Sequence, residues 1–135
     1  MIQYPCRVRE RKENPMQIFK TTHNGNEYEF ICEWGKTRNG FKHECRLFVN
    51  GNFETSATCQ YLNRTWEKYD YQSVMFSAVS NLYHEREDFL KYVFKSDNGY
   101  EKMTKKRNEE FMKVLEADEL LAELNEVKDK IEKGF

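Results

Sequence analysis

Apolar and polar side chains alternate along two neighbouring stretches of this chain, residues 27–34 and 41–49. Such a period of two is typical of β-strands that bury one face. The apolar positions that share this face are Tyr28, Phe30, Cys32, Trp34, Phe41, His43, Cys45, Leu47 and Val49. Because a helix repeats every 3.6 residues, this pattern excludes helices here and predicts antiparallel strands that meet along one apolar surface.

We predict a four-stranded antiparallel β-meander from the turn residues that separate the strands. A six-residue loop, residues 35–40, is expected between the second and third strands, which places Trp34 opposite Phe41. Before the fourth strand we predict a three-residue loop with a bulge, which places Val49 opposite Phe53. A register slip of one residue would move every side chain of a strand to the other face. We therefore choose the loop length that pairs apolar residues with apolar residues across the two strands.

Helical spacing begins where the strands end. Asp70 is a suitable N-cap for a helix that covers the apolar face and stops at residues 96–99. Thr104 is predicted to begin a long amphipathic helix that ends near Lys133 and either packs on its own domain or pairs in a weak dimer. The expected fold class is α+β, organised as a flexible basic arm, an α+β domain and a C-terminal amphipathic helix over residues 1–15, 16–103 and 104–135.

The charge balance limits the partners that the chain as a whole can attract. Lysine and arginine total 22 and aspartate and glutamate total 23, which gives a formal net charge of −1. A dedicated nucleic-acid binder usually needs a basic surplus, and a nucleic-acid mimic needs a large acidic one. Partner choice must therefore depend on local patches.

The cellular compartment follows from what the chain lacks. No apolar stretch approaches the roughly 20 residues of a membrane-spanning helix, and residues 1–15 lack the apolar core of a signal peptide. We therefore expect a cytoplasmic protein with no membrane partner, whose cysteines are reduced thiols or metal ligands. No phosphate-binding loop, nucleophile elbow or metalloprotease motif is present, so we do not expect an enzyme.

Four side chains of the predicted sheet have the chemistry of zinc ligands. Cys32, His43, Cys45 and Cys59 point to the same face from three neighbouring strands on the predicted register. Three cysteines and one histidine form a structural zinc set, and Cys6 offers a substitute if the arm folds back. Free cysteine is also often buried simply as a small apolar residue. Two interpretations therefore stay open: the cysteines are buried core thiols, or they bind a structural Zn²⁺. No other cofactor is expected.

Basic residues cluster at a loop, at the strand–helix junction and at the start of the last helix. We predict partner contacts at Lys36, Arg38, Lys42, Arg64, Lys68, Lys105, Lys106 and Arg107. The aromatic residues Trp66, Tyr69 and Tyr71 interleave with the junction group, as they would in a stacking platform for nucleic acid. The same rings would serve equally as a plug between the sheet and its helix, and both interpretations stay open.

The junction also carries a family resemblance. The segment YLNRTWEKYDYQSVM, preceded by LFVNG and followed by NGYEKMTKKR, resembles small, mostly uncharacterised proteins encoded by phages and mobile elements of Gram-positive bacteria. The resemblance covers roughly residues 41–110 and is most specific at NRTWE and YQSVM. Such genes often accompany accessory loci that counter host defences, including anti-CRISPR proteins.

The resemblance implies a small non-catalytic inhibitor that acts in the host cytoplasm by binding a host enzyme. The expected partner is an RNA-guided defence nuclease, whose loading with nucleic acid the protein would block. The resemblance supplies no active-site residues, so none are assigned. A second hypothesis, from the basic clusters and the thiols, is a small nucleic-acid-binding regulator that zinc could stabilise.

Overall fold

The structure is a computed structural model that describes residues 16–38, 40–61, 71–99 and 102–134. Its elements are the strands β1 (Gln17–His23), β2 (Asn26–Thr37), β3 (Gly40–Val49) and β4 (Asn52–Tyr61), and the helices α1 (Tyr71–Asp97), α2 (Lys105–Ala117) and α3 (Glu119–Lys133). The strands form one antiparallel sheet in the order β1-β2-β3-β4, which confirms the α+β class and the meander. The chain forms two compact units, residues 1–78 and 79–135, and the division falls within α1. The predicted domain boundaries stay predictions.

Two Asn-Gly pairs form the turns at one end of the sheet. Asn24 and Gly25 join β1 to β2, and Asn50 and Gly51 join β3 to β4, all four with positive φ angles between 52° and 84°. This conformation matches the twist of a two-residue hairpin, and asparagine and glycine adopt it most readily. The Asn50 side chain accepts a hydrogen bond from the Glu27 backbone N–H at 2.9 Å, which links the second turn to β2.

The predicted six-residue loop between β2 and β3 is wrong. Both strands continue to Thr37 and from Gly40, so that Trp34 lies opposite His43 and Cys32 lies opposite Cys45. The true register differs from the predicted one by two residues. Because side chains alternate with a period of two, a shift of two leaves every residue on its predicted face.

The predicted pairing of β3 with β4 is correct along most of its length. Phe41 lies opposite Tyr61 and Cys45 lies opposite Ala57, as predicted, but Val49 lies opposite Asn52 and not Phe53. A bulge near Leu47 shifts the register between these two parts. The predicted three-residue loop is therefore wrong: Asn50 and Gly51 form a two-residue turn, and the bulge restores the predicted apolar match along the rest of the strands.

The apolar face of the sheet is buried beneath the first two turns of α1. The Tyr71 ring lies 6.1 Å from the Phe19 ring and 5.3 Å from the His43 ring, between centroids. Farther along the helix, the Ser77 hydroxyl lies 3.8 Å from the Cys59 sulfur. The core of this unit comprises Tyr28, Phe30, Cys32, Trp34, Phe41, His43, Cys45, Leu47, Ala57, Tyr71, Val74, Met75 and Ala78. The predicted cover is confirmed, although its expected N-cap, Asp70, lies outside the described residues.

The second unit consists of the later part of α1 with α2 and α3. Thr104 caps the C-terminal helical segment, as predicted, by accepting a hydrogen bond from the Arg107 N–H, and the segment ends at Lys133. The structure adds an interruption at Asp118, whose extended backbone ends α2 and whose side chain caps α3 through the Leu121 N–H. The apolar stripe of α3 is buried within the single chain at Leu121, Leu124, Val127 and Ile131. Dimerisation through α3 stays a prediction.

Arg86 fixes the interruption at Asp118 to helix α1. Its guanidinium donates two hydrogen bonds to the Asp118 carboxylate, at 2.8 and 3.2 Å. This bidentate geometry is the strongest form of an arginine–carboxylate pair. In the described part of the chain, no helix has the length and apolar character needed to cross a membrane.

Candidate functional site

Three predicted contact residues lie together at the end of the β2–β3 hairpin. Lys36, Arg38 and Lys42 are all exposed, and Lys36 and Lys42 occupy neighbouring rungs of the ladder. We call these three residues the hairpin cations. Their proximity follows from the short connection between the strands, since a two-residue turn brings both strand ends to the same place.

The hairpin extends beyond its neighbouring strand. The ladder between β1 and β2 ends where Gln17 meets Cys32, whereas β2 continues to Thr37. On the other side, β4 accompanies β3 as far as the pair of Phe41 with Tyr61. Lys36 and Lys42 are therefore presented on paired strands at one end of the sheet, where they alternate onto opposite faces, and Arg38 lies in the turn that follows β2.

The other predicted contacts fall elsewhere. Lys105, Lys106 and Arg107 form the first turn of α2, in the second compact unit, where no acidic residue accompanies them. The positive end of the helix dipole adds to their charge, which makes this turn a cationic surface. Arg107 also donates a hydrogen bond to the Asn98 carbonyl at 3.2 Å. Arg64 and Lys68 lie outside the described residues, as do Trp66 and Tyr69.

The predicted zinc ligands do share one face, as the sequence indicated. Cys32 lies opposite Cys45, and on the next rung His43 lies opposite Cys59. Cys32, Cys45 and His43 are fully buried, and Cys59 is half-buried. The three cysteines of this group are free thiols. Cys6, the substitute ligand, is outside the described residues.

The chemistry of this group favours neutral thiols. A side-chain hydrogen bond with Cys32, followed by burial, raises the pKa of the Cys45 thiol far above its usual range. A thiol must lose its proton to bind zinc or to attack as a nucleophile. Among the described residues, no group of three or more His, Cys, Asp or Glu side chains is arranged to hold a metal ion. Structural zinc stays a hypothesis to be tested by metal analysis.

Aromatic rings surround the buried histidine. The Phe41 ring lies 5.0 Å from the His43 ring, and the Tyr71 ring lies 5.3 Å from it on the helix side. Tyr71 is buried, so of the two roles proposed for the junction aromatics it takes the packing role. His43 and Cys32 are thus both part of a covered core, which is a poor place for a Cys–His nucleophilic pair.

Sequence reasoning missed the exposed face of the sheet. On this face Glu33 lies directly opposite Glu44, and Phe48 lies opposite Phe53 with ring centroids 5.6 Å apart. The residues that alternate with the apolar set define this face. The predicted six-residue loop concealed the Glu33–Glu44 pair, and the predicted pairing of Val49 with Phe53 concealed the Phe48–Phe53 pair.

Comparisons with known proteins do not add a name or an activity. No protein-family model, curated protein or solved structure matches this chain. The functional argument therefore depends on the sequence and on the geometry described above.

Proposed function

We propose that this protein is a non-catalytic inhibitor of a host RNA-guided defence nuclease, of the anti-CRISPR kind, and that it blocks the loading of nucleic acid. The observation that carries the proposal is the group of hairpin cations, which are exposed and lie together at one end of the sheet. The sequence resemblance at residues 61–75 supports the choice of partner.

The mechanism requires only surface complementarity. The hairpin cations would pair with carboxylates on an acidic or mixed surface of the nuclease, next to the path of the guide or target strand. Charged groups at an interface rim speed association and select the partner, while the contact itself excludes the nucleic acid. Because β2 and β3 fix the backbone of Lys36 and Lys42 before binding, the conformational entropy lost on association is mainly that of the side chains.

A charge-reversal variant tests the proposal. The variant K36E/R38E/K42E is compared with the wild-type chain by calorimetry against a panel of purified RNA-guided nucleases, each with and without guide RNA. We expect the wild type to bind at least one unloaded nuclease and the variant to bind it at least about tenfold more weakly. The matched control, K91E/K113E/K133E, makes the same charge change at exposed helix positions and should bind like the wild type.

Two results would contradict the proposal. In the first, the wild-type chain binds none of the nucleases in the panel. In the second, it binds but the hairpin variant and the control variant lose affinity equally, which would show that net charge and not this surface controls the interaction.

The alternative function is a small nucleic-acid-binding regulator. The observation that favours it is the first turn of α2, where Lys105, Lys106 and Arg107 combine with the helix dipole and lack an acidic neighbour in that turn. Binding through such cations should weaken steeply as salt concentration rises. A gel-shift assay at low salt with single-stranded and double-stranded DNA and RNA decides this point, since the absence of any complex would remove the alternative.

A further inference from the structure

Two aromatic side chains of α1 are exposed on the same side of the helix. Phe89 is 55% exposed and Tyr92 is 62% exposed. They are three residues apart, so they are neighbours on the helix surface, and we call them the aromatic pair. The Phe94 ring, which lies 5.4 Å from the Phe111 ring, marks the side of α1 that faces α2, and Tyr92 lies about 160° around the helix from it. The aromatic pair therefore lies on a side of α1 that α2 does not cover.

The aromatic pair offers a partner more apolar surface than α3, the helix that the sequence predicts to pair in a dimer. The apolar stripe of α3 is buried within the single chain at Leu121, Leu124, Val127 and Ile131. Adjoining exposed rings are unfavourable in water, and such rings are enriched where one protein contacts another. A partner would therefore gain more by covering the aromatic pair than by covering α3.

Two charged side chains beside the aromatic pair form no ion pair within the part of the chain that the structure describes. They are Asp88 and Lys95. Seven residues, about two helical turns, separate them, so they lie on the same side of α1, one near each end of the aromatic pair. Because one is acidic and the other basic, an antiparallel copy of this surface would bring Asp88 of each chain to Lys95 of the other. Such self-complementarity is what a two-fold interface requires.

A two-fold axis that crosses α1 midway between Phe89 and Tyr92 satisfies both observations. It places the Phe89 ring of one copy level with the Tyr92 ring of the other. At a rise of about 1.5 Å per residue, it also places Lys95 of one copy within about 3 Å, measured along the helix, of Asp88 of the other. Contact between the rings and two pairs of opposite charges would therefore form in one interface.

The other charges of this stretch do not oppose the arrangement. The Arg86 guanidinium lies 5.6 Å from the centroid of the Phe89 ring and is already paired with Asp118. Glu85, which is exposed on the same side as the aromatic pair, would lie level with Ser96 of the second copy, which is uncharged. The charged residues at positions 84, 87, 91 and 97 lie toward the other side of the helix. The arrangement therefore places no like charges opposite each other across the axis.

We infer that two copies of the chain associate through this side of α1, antiparallel about a two-fold axis. The Phe89 and Tyr92 rings are in contact across the axis, and Asp88 of each copy pairs with Lys95 of the other. The inference goes beyond the proposed function and does not depend on it. Two rings from each copy bury less than the roughly 1,200–2,000 Å² of a standard stable interface, so the dimer forms only at high protein concentration.

Sedimentation velocity of the full chain, from about 10 µM to about 1 mM, measures the association. We expect the wild type to change from monomer to dimer within this range. The variant F89S/Y92S should raise the dissociation constant of the dimer at least about tenfold. The matched control M112S/L120S, which replaces two exposed apolar side chains of α2 and α3, should dimerise like the wild type. Thermal melting of each variant checks that the fold is kept.

An exchange of charge tests the arrangement about the axis. D88K and K95D each place like charges at both predicted ion pairs, so each variant alone should dimerise more weakly than the wild type. A mixture of the two variants should restore the dimer, because each ion pair between unlike chains then joins opposite charges again.

Three results would overturn the inference. In the first, the wild-type chain stays monomeric up to about 1 mM, which would leave the aromatic pair to a different partner. In the second, F89S/Y92S dimerises like the wild type, or M112S/L120S loses as much affinity, which would place the contact on another surface. In the third, the mixture of D88K and K95D dimerises no better than either variant alone, which would show that the two-fold arrangement is wrong.

Discussion

The two faces of the four-stranded sheet are built from alternate residues of the same strands, yet they differ in burial and in charge. The covered face holds Tyr28, Phe30 and Leu47, all fully buried. The exposed face holds Glu33 and Glu44 opposite each other and, farther along the strands, Phe48 opposite Phe53, whose ring is exposed. The covered face offers the fold its main source of stability, because burial of apolar area is the dominant favourable term.

This difference separates residues needed for folding from residues available for binding. A side chain on the covered face contributes by excluding water and filling space, so its replacement is felt throughout the unit. A side chain on the exposed face gains little from folding, and a like-charge pair such as Glu33 with Glu44 opposes it. The fold therefore depends less on the side chains of the exposed face than on those of the covered face, and this difference can be tested residue by residue.

The largest expected effect is on the covered face. Phe30→Ala should lower the free energy of unfolding by about 3–5 kcal/mol, because it removes a buried ring and leaves a cavity. The matched variant Phe53→Ala removes the same ring from the exposed face and should cost less than about 1 kcal/mol. Urea denaturation followed by circular dichroism measures both. Equal losses would break the distinction between the faces.

A smaller loss in the free energy of unfolding is expected when the Asp118 carboxylate is removed. Asp118→Ala removes the cap of α3 and the ion pair with Arg86, and the cap alone is worth about 0.5–2 kcal/mol. Arg86→Gln should cause part of the same loss, and the double variant should lose less than the sum of the two single losses. Strict additivity in urea denaturation would show that the two side chains act independently.

The same pair predicts a dependence of stability on pH. The hydrogen bond from Arg86 lowers the pKa of the Asp118 carboxyl group. The folded state therefore binds a proton at Asp118 less readily than the unfolded state does. The contribution of this carboxylate is fully present above its unfolded pKa, about 4, and is lost as the pH falls through the lower folded pKa. Asp118→Asn should flatten the stability profile in that acidic range. An unchanged slope would contradict the account.

On the exposed face we expect a small gain in stability. Glu44→Gln removes the like-charge contact with Glu33 and should raise the free energy of unfolding by about 0.2–1 kcal/mol. Glu54→Gln provides a control, since it removes one exposed carboxylate at the bulge where the pairing register changes. A loss of stability in Glu44→Gln would mean that the carboxylate supports the fold and is not a cost to it.

No effect is expected from metal removal. Because a hydrogen bond with Cys32 and burial raise the pKa of the Cys45 thiol, and Cys32 and Cys45 are fully buried, we expect a chelator to leave the melting temperature unchanged. The protein for this measurement is purified without a histidine tag. Stoichiometric zinc by mass spectrometry, with a lower melting temperature after chelation, would establish Cys32, His43, Cys45 and Cys59 as ligands.

Local patterns were sufficient to predict most of the fold. Alternation assigned Phe30, Cys45 and Leu47 to the covered face, and the Thr104 cap was read directly from residue type. The sequence has an asparagine–glycine pair at this connection too, Asn39-Gly40, but Gly40 already belongs to β3, so the pair did not show where β2 and β3 end. The register there depends on pairing across the whole strand, which sequence alone does not reveal.

The candidate site was less predictable than the fold. Proximity in sequence correctly grouped the hairpin cations, because a short turn keeps sequence neighbours close. The contact of Arg86 with Asp118 joins residues 32 positions apart, and the pairing of Glu33 with Glu44 depends on an exact register. Such contacts depend on tertiary packing, which single-sequence patterns do not encode.

An order-of-addition cleavage assay tests the central claim most directly. The wild-type chain is added to each purified RNA-guided nuclease before or after the enzyme has bound its guide and target, and DNA cleavage is then measured. The account predicts strong inhibition when the chain is added first and little when nucleic acid is already in place. Cleavage that is unaffected in either order across the panel, or inhibition that is equal in both orders, would contradict it.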